Sequence, residues 1–308
     1  MILGIDPKVD YAFKRVFGDE RNDDVLIHLL NAILTLAEPI IGVEILNPFS
    51  QKDYDEQKLS VLDVKARDQL GRLINIEMQM LLPLHFRSRI LYYWAGMYRQ
   101  QFHQGEDYSR LRPTISICLV NQVLFAGVDD WHLAFELIDR GHGLRFTEHL
   151  QIHLVEFPKF QLQTEQLRNP LDKWLYIFRN GESMDPDRLP EEFDDPAYGR
   201  AMKELEMLTK DDLERERYES RLKAVRDQMS LLQDAREEGR EEGREEGREE
   251  GREEGREEGF ARGELIGRIH LCQRALNQPI TPSDVLRRMP LEKLRQRAEA
   301  LETEMLGS

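Results

Sequence analysis

From Leu59 to Met80 apolar and polar positions alternate with period two, and the alternation breaks once. Leu62, Val64 and Ala66 share one face of the first run, with Asp63, Lys65 and Arg67 opposite. In the second run Ile74, Ile76 and Met78 lie on one face and Asn75, Glu77 and Gln79 on the other. This period predicts two half-buried strands. The break, Asp68-Gln69-Leu70-Gly71, suits a type I turn closed by a glycine bulge. That turn sets a register in which Asp68 faces Arg72, Ala66 faces Ile74, Val64 faces Ile76 and Leu62 faces Met78. On the polar face, Asp63 then falls opposite Glu77.

The same reading extends along the first 180 residues. Val25, Ile27, Leu29, Leu30, Ile33 and Leu34 predict an early helix, with Asp10 or Asp23 as caps of the first helices. Residues 42–47 read as a strand, residues 84–102 as a long aromatic helix after Pro83, and residues 113–121 as a buried strand. Residues 149–157 alternate into a further strand, on which His149 and His153 stand too far apart for one ion. Residues 170–178 begin a helix. A hairpin flanked by helices and followed by buried strands predicts an α/β sandwich with a mixed sheet.

Beyond residue 198 the pattern becomes one long helix. Tyr218, Leu222, Val225, Met229 and Leu232 step by four and three, a coiled-coil seam that predicts association of chains. It leads into six identical Arg-Glu-Glu-Gly units, residues 236–259. Glycine in a helix costs about 1 kcal/mol against alanine, and each i,i+3 ion pair returns only about 0.2–0.5 kcal/mol. The repeat therefore reads as a weak helix, and its identity from unit to unit as a recent expansion at the DNA level. Thr281-Pro282-Ser283-Asp284 then has a capping-box spacing. Leu286, Met289, Leu291, Leu294, Ala298 and Leu301 follow as a small helical module. The expected organisation is a sandwich domain over 1–180, an acidic helical linker over 181–235, the repeat over 236–259 and the end module over 260–308.

Charge changes the picture once it is mapped. The net charge is −15. Residues 181–235 carry nine Lys/Arg against sixteen Asp/Glu, and the repeat six Arg against twelve Glu. The rest of the chain is close to neutral, so the acidity belongs to the tail and leaves room for local phosphate contacts. Cys118 and Cys272 are far apart and suggest neither a disulfide framework nor a zinc site. No apolar run is long enough to span a bilayer, and the first residues do not read as a signal peptide. These features predict a cytoplasmic protein with no membrane partner.

Candidate chemistry centres on the hairpin. Directly opposed like charges destabilise a sheet. A divalent cation between Asp63 and Glu77 would remove the conflict, and oxygen ligands suit Mg²⁺ or Mn²⁺. An aspartate, a hairpin and then Glu77-Met78-Gln79 resemble the signature of PD-(D/E)XK nucleases, with Gln79 where the lysine usually stands. Residues 10–18, 62–68, 75–79, 89–94 and 156–160 together resemble the recombination-promoting nuclease/transposase branch of that superfamily, over roughly residues 1–180. The resemblance implies a restriction-endonuclease-like core and a Mg²⁺-dependent endonuclease acting on DNA in recombination. It implies that Asp63, Glu77 and the Met78 carbonyl hold the metal and that Gln79 orients the attacking water. Lys65 is a candidate for the missing positive charge, and Arg89 and Tyr93, one helical turn apart, for a phosphate contact. Asp10 is either a further acid near the metal or a helix cap. The alternative is an oligomerising regulatory protein whose nuclease site is weakened by the lost lysine.

Overall fold

The computed structural model describes residues 2–47 and 64–307. Two compact units are present, residues 1–229 and 230–308. The first is built on a six-stranded mixed sheet, comprising β1 (Val43–Ile45), β2 (Val64–Asp68), β3 (Leu73–Gln79), β4 (Thr114–Val120), β5 (His132–Glu136) and β6 (Leu150–Glu156). Their spatial order is β1-β2-β3-β4-β6-β5. The β3–β4 and β4–β6 pairs are parallel and the others antiparallel. The hairpin has the expected register, Val64 opposite Ile76, Lys65 opposite Asn75 and Ala66 opposite Ile74. Its turn is closed by Gly71 N–H to the Asp68 carbonyl at 3.0 Å, with Gly71 at φ +79°. At that φ a side chain would be strained, so glycine is what the turn requires. Asp68 adds hydrogen bonds from Leu70 N and Arg72 N and an ion pair with Arg72, which fix the register from within the turn.

Alternation along β4 divides the core in two. Ile115, Ile117 and Leu119 face one layer, and Cys118 and Val120 the other. The first layer holds α1 (Asp10–Phe17), α2 (Asp23–Ile33), α4 (Pro170–Asn180) and α5 (Pro196–Lys210). Two of these begin with proline in the first turn behind a side-chain cap, Asn169 for α4 and Asp195 for α5. Such a start satisfies otherwise unpaired N–H groups at no cost to the helix. The opposite layer holds α3 (Phe86–Gln100), whose Phe86 and Ile90 cover Cys118, Val120 and Leu154. Trp94 Nε1 donates to the Thr114 carbonyl at 2.7 Å and ties α3 to β4.

The structure departs from the sequence reading in several places. Edge strand β5 was not expected; its five residues alternate weakly because both its faces are partly exposed. Val9, not Asp10, holds the N-cap position of α1, but the Asp10 carboxylate accepts from Tyr11 N at 2.7 Å in the first turn; at α2 the N-cap is Asn22, not Asp23. The core does not stop at residue 180, because Phe193, Tyr198, Ala201, Met202, Leu205 and Leu208 belong to it.

The first turns of the long helix α6 (Asp212–Ala275) also pack on this core. Tyr218 is 3 % exposed, and Leu222 packs beside it. The Tyr218 hydroxyl accepts from Asp6 N at 2.8 Å, Tyr11 donates to Glu214 at 2.9 Å, and Arg221 pairs with Asp10. The first two positions of the expected coiled-coil seam are therefore used within the chain.

In the second unit α6 runs without interruption through the repeat to Ala275. Its last turns pack Leu265, Ile266, Ile269 and Cys272 against Leu286 of α7 (Ser283–Arg287) and Leu294, Ala298 and Leu301 of α8 (Leu291–Gly307). Thr281 does not cap α7. Its hydroxyl accepts from Gln273 and Arg297, closing the loop after α6.

Candidate active site

Glu77 is the centre of the candidate site. Strand β3 is wedged between β2 and β4, and Glu77 points to the α3 side of the sheet, where it is 2 % exposed. Its Oε1 accepts from Asn75 Nδ2 at 3.3 Å. Its Oε2 accepts no hydrogen bond among the described residues. The nearest cation is Arg89 on α3, with Nη2 at 3.6 Å from Oε2. Burial pushes the Glu77 carboxyl above its ordinary range, and Arg89, Asn75 and Lys65 pull it back in part. The Asn75 Oδ1 and the Arg89 Nε are also buried without hydrogen-bond partners. Among the described residues, Glu77 Oε2, Asn75 Oδ1 and Arg89 Nε thus form a cluster of three buried polar atoms without hydrogen-bond partners, an arrangement that calls for an explanation.

The candidates separate clearly. Lys65 lies opposite Asn75 in the hairpin, and its charge acts on Glu77. Arg89 is at the carboxylate, and its guanidinium lies 5.8 Å from the centroid of the Tyr93 ring. Gln79 ends β3 at the partly exposed edge of the same face. Met78 sends its side chain into the other core layer, so only its backbone is available to the site. Asp10 is engaged by Arg221. Asp63 lies outside the described residues. Asn75 joins the candidates only in the structure: its alternation with Glu77 puts it on the same face, but nothing in the sequence signals that its amide meets the carboxylate.

His149 and His153, read from the sequence as structural, meet separate partners. His149 Nδ1 meets the Tyr98 hydroxyl at 2.8 Å, and His153 Nδ1 meets His132 Nε2 at 2.9 Å.

Residues 7–235 match the family model described as PD-(D/E)XK nuclease family transposase. The chain belongs to this family. The match takes in the whole sheet, both helical layers and the docked start of α6, so the family unit reaches well past residue 180. For a PD-(D/E)XK nuclease family transposase, a nuclease-like function, a DNA substrate and a requirement for divalent metal are the family's general properties. Residues 237–270, which include most of the repeat, match a second model described as the N-terminal part of essential protein Yae1. No curated protein and no solved structure matches the chain. No described helix of this family member is long and apolar enough to cross a membrane.

Proposed function

We propose that the protein is a Mg²⁺- or Mn²⁺-dependent DNA endonuclease that nicks or cuts DNA and thereby promotes recombination. The observation that carries this reading is the buried Glu77 carboxylate, whose Oε2 accepts no hydrogen bond among the described residues. A buried carboxylate left so is costly unless a cation completes it. Its position on β3 of a PD-(D/E)XK fold is where such a family would place one. Asp63, Glu77 and the Met78 main-chain carbonyl would hold the ion, an all-oxygen set suited to Mg²⁺ or Mn²⁺. When bound, the ion activates water and offsets charge on the phosphate.

The chain's own residues do the rest. Asn75 steadies one oxygen of Glu77 so that the other stays available. Gln79 orients the attacking water through its amide, which can both donate and accept. Lys65 and Arg89 bring positive charge to the phosphate, replacing the lysine the motif lacks. Arg89 is steadied for this by Phe86 and Tyr93, each about 6 Å from its guanidinium. Two cuts on opposite strands need two copies, which the partly exposed remainder of the seam, Val225 to Leu232, would bring together. Supercoiled plasmid is the test. Purified protein nicks it with Mg²⁺ or Mn²⁺ and not with EDTA, and Asp63→Ala and Glu77→Ala each abolish nicking. Cutting retained by a clean Asp63→Ala preparation overturns the site.

A second reading is favoured by one contact. Arg89 already places a positive charge 3.6 Å from Glu77 Oε2, and with Gln79 for lysine the site would be inert and the protein an oligomerising regulator. Self-associating protein that cuts nothing under any divalent metal would decide for it.

A further inference from the structure

Helix α3 combines exposed aromatic surface with a one-sided charge. Its sequence holds Arg87, Arg89 and Arg99 and no acidic residue, in a chain of net charge −15. Tyr92, at its middle, is 75 % exposed, although a ring of this size stabilises a fold mainly by burial. Helical geometry sets Ser88, Arg89, Ala95, Gly96 and Arg99 around Tyr92. Three of those five are small, which leaves much of the ring uncovered. Gly96 is inside the helix, where glycine costs about 1 kcal/mol against alanine. A Cβ at Gly96 would meet nothing within 4 Å, so packing does not account for it. The exposed ring is also linked to the site. Its centroid is 6.0 Å from that of Tyr93; Tyr93 lies under Arg89, and Arg89 reaches Glu77.

We propose that Tyr92 stacks on an unpaired base beside the scissile phosphate, so that the enzyme acts on DNA that is single-stranded or opened at the cut. The proposal rests on the nuclease reading above and names its substrate. A tyrosine face accepts any base, but only a base already out of the duplex stack can offer its own. The small residues around Tyr92 leave room for the base to lie against the helix. Arg99 stands about 10 Å further along the axis, placed to meet the backbone of the same strand. With three arginines and no acid, α3 presents a local positive charge to the strand, in a part of the chain that is otherwise close to neutral.

The test is binding by the full chain with Ca²⁺ in place of Mg²⁺, read by fluorescence polarisation. The probes are a labelled mixed-sequence single strand, the same sequence as duplex, and a duplex interrupted by a short unpaired gap. The single strand and the gapped duplex bind more tightly than the intact duplex. Tyr92→Ala weakens those two roughly fivefold or more and leaves the duplex unchanged, while Tyr92→Phe retains the preference. Equal binding of all three probes, no binding of any, or a uniform loss in Tyr92→Ala overturns the proposal. So does a Tyr92→Ala chain that loses self-association in sedimentation while its DNA binding is intact, which would assign the ring to a contact between copies. Plasmid cleavage is scored separately: single-strand preference without cleavage would remove the nuclease reading and leave the stacking site standing.

Discussion

Replacing Glu77 by glutamine should make the protein more stable without metal and indifferent to metal. Burial raises the Glu77 carboxyl, so the fold tolerates its neutral form best. For a group raised on folding, the stabilising contribution is present below the ordinary glutamate range. It is lost as the pH climbs through the raised folded value. Near pH 7.5 the ionised group is therefore a net cost. An unpartnered buried polar atom costs about 1–3 kcal/mol, and more if charged. Arg89 at 3.6 Å and the charge of Lys65 offset part of this. Glu77→Gln, of the same shape and without the charge, should therefore gain about 1 kcal/mol, at the low end of that range. For a unit of this size that raises Tm by about 2–4 °C in EDTA. Metal reverses the order. At ten times its Kd an ion adds about 1.4 kcal/mol to wild type and little to the variant. Calorimetry in EDTA and in Mg²⁺, at matched ionic strength, measures both. A variant that melts lower than wild type in EDTA, or one that gains as much as wild type from Mg²⁺, refutes the argument.

Three further outcomes follow from the same geometry. Gln79→Lys should keep or improve plasmid nicking and Lys65→Ala should lose most of it while still gaining thermal stability from Mg²⁺; normal cutting by Lys65→Ala would pass the role to Arg89. Burial depresses the His153 imidazole from 6.5 to about 4, with a smaller contribution from His132. Stability is thus complete above pH 6.5 and falls as the pH drops towards 4, by up to roughly 3 kcal/mol; His153→Gln should flatten that part of the acid denaturation curve, and an unchanged curve would discount the pair. Truncation before Gln233 keeps Tyr218 and Arg221 docked and should preserve nicking while weakening paired double-strand cuts; sedimentation that finds the full-length chain monomeric at micromolar concentration would remove the dimer from the account.

The hairpin was legible because its information is local. A type I turn with a bulge glycine admits one register, and alternation then decides which face each side chain takes. Glu77, Lys65, Asn75 and Gln79 fell on one face for that reason alone. The tail was not legible in the same way. An apolar stripe on a helix states that something covers it, not whether the cover is another chain or the protein's own core. Tyr218 and Leu222 fit a seam by spacing, yet Asp6, Tyr11 and Asp10 of the same chain hold that stretch of helix. Asp10 read as a cap or a metal ligand for a similar reason: its partner, Arg221, lies over two hundred residues away. Strand β5 escaped because an edge strand with two partly wet faces has no strong period to read.

The unbroken helix through residues 236–259 makes copy number a geometric variable. Each unit of four residues advances the helix by about 6 Å and turns it about 40° past a full revolution. Losing or gaining one unit would shift the bundle of Leu265, Leu286 and Leu294 by that step, in reach and in azimuth, relative to Ser230. Identical units invite slippage during DNA replication, so a lineage could dial the presented face of this bundle notch by notch. About nine notches would bring it back to its starting direction, and no residue of the bundle itself would need to change.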